Sequence, residues 1–454
     1  MISLLIFLFV LVAIMILGLM LRDASKGLVP LISIKNIFLV GFILFQVTSP
    51  ITTLMAGDNK DFHLSFIEQT GFRMLLWVLL FYGTFYIAYP RLPLAKNMIR
   101  MVPITRLHPG TSMLISMSVM LTILAIVFHF GVMVPLVSVL ANFLAISFSA
   151  IACGMIGWVW APRLLNPLYG LMAVPIIGLN LANVLTGTFG RRSLLALLAC
   201  LLWGMFYSWW RQQNPVRMVV TMAMIGFFPV MLLALFTSAR ESSEHDRSAG
   251  QQLQAMIQQG SVKDGLLMLA DGQRAGGVSM WCIEKYPESY PTKFAFSARY
   301  GFMFPVPRSI WPDKPMPLSR DLPTLAQLQG VAREKLSIGP GIIGHAAADG
   351  GLVMVVIYAL MIAYICRILD GVVHENIFNP IIVLPIGSAL SNTIGLARGE
   401  TGVFVFIMLF SIMTSYFILI ISAKCIDYLG LAKRDEPDDW WEEDYDSDEY
   451  ESAY

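Results

Sequence analysis

The stretch FPVPRSIWPDKP begins at position 304 and sets Arg308, Asp313 and Lys314 among four prolines. Five aromatic residues, Phe294, Phe296, Tyr300, Phe302 and Phe304, lead into it. Proline fixes φ and lowers the entropy of an ordered loop, so such a stretch can hold a cation in one place. Rings beside Arg and Lys suit a wet interface, where rings meet lipid or sugar faces and cations meet phosphate. The plainer alternative is a loop packed on helix ends, with Arg308 in an ordinary salt bridge. A second constellation lies in GPGIIGHAAADGG, from Gly339. His345 and Asp349 stand four apart, so on a helix they share a face and the carboxylate can orient the imidazole. The glycines would let a ligand approach closely; the alternative is a pair of helix-capping residues. Glu400, beside Arg398, is a second candidate base. The aspartates between 246 and 321 are scattered, with no DxD pair, and His63, His108, His129, His245 and His374 have no paired ligands. Cys153, Cys200, Cys282, Cys366 and Cys425 form no CxxC. Neither a metal site nor a cofactor is indicated.

These residues are carried by a chain of 454 residues, 57% of them apolar and only 13% charged. Apolar runs of about 20 residues recur, the length that crosses a bilayer as a helix. The expected fold class is therefore all-α, a polytopic helical membrane protein with about eleven spans. These fall near 2–21, 34–55, 71–89, 112–131, 134–160, 165–186, 193–210, 217–237, 351–369, 377–395 and 402–423. A β-barrel would instead show alternating segments of about ten residues. The first run lacks a charged leader and a small-residue cleavage site, which marks a retained span.

One set of alternate short loops carries fourteen Lys and Arg and the opposite set five. By the positive-inside rule the richer side is cytoplasmic, the N-terminus external and the C-terminus cytoplasmic. The expected organisation is a transmembrane bundle over 1–237, one large external loop over 238–350, transmembrane helices over 351–428 and an acidic cytoplasmic tail over 429–454. The loop mixes both signs of charge, which argues against nucleic-acid binding. Within it, Leu253, Met256 and Ile257, then Leu266, Leu267 and Leu269, follow helical spacing. A second amphipathic stretch runs to Trp281 and Ile283 and ends at Lys285-Tyr286-Pro287. From Asp435 to Tyr454 eleven of twenty residues are acidic. That composition reads as a solvated disordered tail, or as a docking segment anchored by Trp440, Trp441 and Tyr445.

The stretch YGFMFPVPRSIWPDKP resembles a loop motif of the Wzy-type oligosaccharide repeat-unit polymerases, which make O-antigen and exopolysaccharide and are related to the O-antigen ligases. The matching positions are Tyr300-Gly301, Pro307-Arg308, Trp311-Pro312 and Lys314-Pro315. TGTFGRRSLLALL is similar to the family's small-residue–Arg entry into a span, and either Arg191 or Arg192 can stand for its arginine. SIGPGIIGHAAADGGLVMVV is similar to the segment after the large loop, with Gly344-His345 where many relatives carry Gly-Glu.

The resemblance implies a metal-independent glycosyltransferase in the bacterial inner membrane, joining undecaprenyl-pyrophosphate-linked repeat units at the external leaflet. Implied partners are the lipid-linked glycan and the bilayer, with a chain-length-regulating co-polymerase and a flippase. Undecaprenyl pyrophosphate leaves well once its charge is neutralised, and Arg suits that because it is always protonated and binds phosphate bidentately. Arg191, Arg192, Arg308 and Arg398 are the expected clamp, with Arg274 weaker; Tyr300, Trp311 and Lys314 complete the substrate-binding set. His345, Asp349 and Glu400 are the expected catalytic residues, serving the sugar hydroxyl that attacks. Two rival readings are a ligase-type transferase and a lipid-linked oligosaccharide flippase or transporter. Against the second stand the absence of a convincing internal repeat and the position of charges at span ends.

Overall fold

A computed structural model describes residues 1–57, 62–92, 95, 97–99, 109–131, 138–185, 191–213, 215–241, 249–271, 275–328 and 337–428. Arg274 and the acidic tail lie outside the described residues, and so do the readings that fell on them. The described residues are helical, with no strand among them. In chain order the helices are α1 (Ile2–Ser25), α2 (Ile34–Phe42), α3 (Ser49–Ala56), α4 (Ile67–Ala88), α5 (Thr111–Phe130), α6 (Ser138–Trp160), α7 (Pro167–Leu185), α8 (Arg191–Ser208), α9 (Pro215–Glu241) and α10 (Ala249–Gln259). They continue as α11 (Val262–Asp271), α12 (Ala275–Lys285), α13 (Phe296–Met303), α14 (Leu318–Leu325), α15 (Gly341–Gly350), α16 (Leu352–Glu375), α17 (Pro380–Ser388), α18 (Leu390–Gly395) and α19 (Thr401–Tyr428). A π-turn, Ile43–Thr48, joins α2 to α3.

Among the described residues, eight helical segments are long and apolar enough to cross a membrane: Ile2–Ser25, Ile34–Ala56, Ile67–Arg91, Thr111–Phe130, Leu140–Arg163, Pro167–Leu185, Leu352–Glu375 and Thr401–Ile426. The chain is a multi-pass helical membrane protein. Eleven spans were expected. The other three segments are helical but fall outside this set. Of these, Pro380–Gly395 reaches roughly 24 Å at 1.5 Å per residue, short of a hydrocarbon core about 30 Å thick, whereas α9, at 27 residues, is long enough to cross. The third, α8, opens on two arginines.

The chain divides into two compact units. The first comprises Met1–Ile99, Leu267–Asp370 and Asn392–Leu409. Phe38, Phe42, Phe81 and Phe85 form its aromatic spine, with Phe42 and Phe81 stacked at 4.9 Å. At one end Asp370 accepts the Ile34 and Lys35 N–H groups at 2.7 and 3.0 Å and the Tyr89 hydroxyl at 2.8 Å, so it caps α2. Lys35 then pairs with buried Asp23 at 2.7 Å. Helix α12 is buried from Ala275 through Ile283 rather than on one face, which corrects the amphipathic reading. Its small residues explain this: a Cβ on Gly276 would run into Pro50, so α12 lies directly against α3. At its far end Glu284 accepts the Ser65 and Phe66 N–H groups and the Thr70 hydroxyl, capping α4. Burial opposes its ionisation, but the neighbouring Lys285 and these donors hold its pKa down to about 2.

The second unit comprises Arg100–Leu266, Gly371–Ser391 and Phe410–Tyr454. Gly154 and Gly204 let α6 and α8 touch backbone to backbone. Buried polar side chains clasp the helices: Asn180 donates to Thr122 at 2.8 Å, and Trp203 donates to the Val383 carbonyl at 3.0 Å. Small residues at contacts and polar bonds between helices are the ordinary means of helix association in lipid.

Candidate functional site

The first unit brings His345, Asp349 and Glu400 together. Proline at 340 and a left-handed Gly341 (φ +72°) start α15. The four-residue spacing then puts His345 and Asp349 on one buried side of it. Glu400 stands immediately before α19. Helix α13 slots in beside them because glycines permit it. A Cβ on Gly402 would run into the Ser297 carbonyl, and a Cβ on Gly301 into the Gly402 carbonyl.

Contacts within the cluster are specific. The Ser297 hydroxyl lies 2.7 Å from His345 Nδ1. The Ser297 backbone N–H donates to Asp349 Oδ2 at 3.0 Å, and the Tyr358 hydroxyl donates to the same oxygen. Asp349 thus reaches the imidazole through Ser297, not by a direct bond. His345 Nε2 faces Glu400 Oε2 at 3.8 Å. That oxygen accepts the Ser319 N–H at 3.1 Å, in the first turn of α14, where a carboxylate is favoured. His345 Nε2 and Glu400 Oε1 are buried without a hydrogen-bond partner. Orphaned polar atoms are costly in a buried place, so this is where a further polar group would be welcomed. Burial pushes the Asp349 carboxyl up, against the hydrogen bonds from Tyr358 and Ser297.

His345 was expected as an external residue open to a substrate. It is 0% exposed, Asp349 1% and Glu400 6%, which leaves Glu400 nearest to any incoming group. The cause is packing: α12, α13 and the 396–400 segment close over α15. The Gln46 side chain, presented by the π-turn, donates to the Ala397 carbonyl at 2.6 Å and accepts from Ser279 at 3.0 Å, which bolts that segment down. π-Turns often mark such positions.

The proline-rich stretch joins α13 to α14, whose Ser319 N–H holds Glu400. Lys314 is buried, and its ammonium donates to the Phe304 and Val306 carbonyls at 2.9 Å each, with the Tyr300 and Phe304 rings 5.3 and 5.8 Å away. These contacts make it a staple inside the loop, whereas the sequence suggested a substrate contact. Burial, then the charges of Arg308 and Arg320, push its pKa down. Arg308 is exposed. Its guanidinium rests on the Pro312 and Pro315 carbonyls at 3.5 and 3.4 Å and on the Met316 sulfur at 3.0 Å, with no carboxylate among these contacts. Trp311 is 37% exposed beside it. Tyr300 is buried, and Arg308, Glu400, Arg320 and Asp321 all lie close enough to act on its phenol, whose pKa burial raises.

Arg398 is exposed, its guanidinium 5.7 Å from the Phe45 ring. Arg191 and Arg192 open α8 in the second unit. Ser297, Tyr358 and Gln46 escaped the sequence reading, and Arg320 and Asp321 were given no role in it. Ser297 lies one helical turn before Tyr300, a signal that could have found it. Among the described residues no group of three or more His, Cys, Asp and Glu could hold a metal ion. No family model, curated protein or solved structure matches the chain.

Proposed function

We propose that the chain is a lipid-linked oligosaccharide polymerase of the Wzy type, a glycosyltransferase of the bacterial inner membrane. The observation that carries this reading is the buried His345–Glu400 pair, with Glu400 held by the helix that follows an arginine-bearing, proline-stiffened loop. Glycosyl transfer from a lipid pyrophosphate needs two things: cations on the leaving group, and an acceptor for the proton of the attacking hydroxyl. Arg308 supplies the first, with Arg320 near it, and Arg398 remains in the proposed clamp. Glu400 is the proposed base, because its Oε1 is unengaged while its Oε2 is held by the Ser319 N–H. His345 supports Glu400 from behind. Tyr300 and Trp311 offer rings to the sugar, and a co-polymerase and a flippase are the proposed partners.

The bond from the anomeric carbon to the pyrophosphate oxygen breaks. The acceptor oxygen forms the new glycosidic bond, its proton passes to Glu400, and undecaprenyl pyrophosphate departs as an anion. Deletion of the gene followed by sizing of the surface polysaccharide tests the reading. Loss of long polymer with single repeat units retained supports it. Unaltered polymer removes it, and complete loss of glycan including single units would favour a flippase.

A further inference from the structure

The geometry points to Ser297 as a positioning residue that donates its hydroxyl proton to His345 Nδ1, fixing the imidazole as the Nε2–H tautomer aimed at Glu400. Its role in transfer rests on the polymerase reading; the hydrogen-bond assignment does not.

Glu400 Oε2 already accepts the Ser319 N–H, so it presents an acceptor to the imidazole. A bare lone pair on Nε2 would face that oxygen at 3.8 Å with mutual repulsion, whereas an N–H facing it is attracted. The hydrogen therefore sits on Nε2. In the neutral ring Nδ1 is then an acceptor, and its 2.7 Å partner, the Ser297 hydroxyl, must be the donor.

Two anchors hold Ser297 in place to do this. Its N–H is bound by Asp349, and Asp349 is bound in turn by the Tyr358 hydroxyl. Its carbonyl abuts Gly402, two residues past Glu400. The chain Tyr358–Asp349–Ser297–His345–Glu400 crosses four separate stretches of sequence and is buried throughout. Every member but the last two atoms, His345 Nε2 and Glu400 Oε1, is satisfied. A ring held at one nitrogen and aimed by it is the arrangement by which an oriented imidazole supports a carboxylate base. Neither Ser297 nor Tyr358 touches the reacting atoms; both act through His345.

The test is histidine-selective 15N labelling of the full-length protein in lipid nanodiscs, with His345→Gln identifying its signals among the six histidines. The expected spectrum has His345 Nδ1 as the unprotonated nitrogen and Nε2 protonated. Ser297→Ala should lose this preference and Ser297→Thr, which keeps the hydroxyl, should retain it. A protonated Nδ1 in the wild-type protein overturns the assignment even if Ser297→Ala fails to fold, and so does a Ser297→Ala spectrum identical to wild type. In cells, Ser297→Ala should lower polymer yield on the order of tenfold, with rescue by Thr. The spectrum needs no glycan. A protein with the expected spectrum and no polymerase activity therefore upholds the Ser297 assignment and removes the polymerase reading.

Discussion

Arg308 meets two proline carbonyls and the Met316 sulfur but, in these contacts, no carboxylate, which suits the proposed role. Such a guanidinium can turn to a pyrophosphate and gain two short charge-assisted bonds. Lysine cannot reproduce the planar fork. Arg308→Lys should cut polymer synthesis about tenfold or more, equivalent to roughly 1.4 kcal/mol of lost transition-state stabilisation, at unchanged protein level. An immunoblot beside the polymer assay checks both halves. A silent Lys variant would make Arg308 a surface anchor, since exposed ion pairs are worth about 0–1 kcal/mol. The proline frame around Arg308 was legible in the sequence because it is local. So was the shared face of His345 and Asp349, because four-residue spacing dictates it, although the expected direct bond between them is replaced by a link through Ser297. Ser297 and Tyr358 were not, since their roles come from helices far apart in sequence. The inward turn of Lys314 was hidden for another reason: composition gives a charge and not the carbonyls it meets.

Three close contacts at helix level bring the site together: α12 on α3 at Gly276, α13 on α19 at Gly301 and Gly402, and α15 on the π-turn at Gly341. Each is a place where a methyl group has no room. Gly402→Ala should push α13 from α19, separate Ser297 from Glu400, and destabilise the protein by about 1–3 kcal/mol, the usual cost of overpacking. Gly83→Ala, in α4 with nothing within 4 Å, should be neutral or slightly stabilising, by at most about 1 kcal/mol. Thermal unfolding in detergent, read by tryptophan fluorescence, separates them; equal effects would deny that close packing builds the site. Helix content was readable from apolar runs. The burial of α12 was not: its Ala-Gly-Gly start carries little hydrophobic signal, and its enclosure depends on Pro50 and on α15.

Over the whole molecule, a multi-pass helical protein is what a composition 57% apolar requires, and eight of its helical segments are long and apolar enough to cross a bilayer. The proposed orientation rests on the excess of Lys and Arg in one set of loops. A reporter active only outside the cytoplasm should be on when fused after residue 270 and off after residue 100 or 440. The reverse pattern would put the His345–Glu400 cluster on the side where no lipid-linked repeat unit is offered. Residues 275–328 and 337–350, which read as part of an external loop, contribute much of the first unit's interior, so the candidate site is built into the helical body. The most direct measurement on the central claim is to replace the chromosomal gene with Glu400→Gln, confirm native protein level, and size the surface polysaccharide. The glutamine keeps the shape and the Ser319 contact but cannot take a proton. The expected result is a loss of long polymer on the order of 10²-fold or more with single repeat units retained. A normal length distribution would contradict the assignment of Glu400 as the base, and with it the proposed catalytic site.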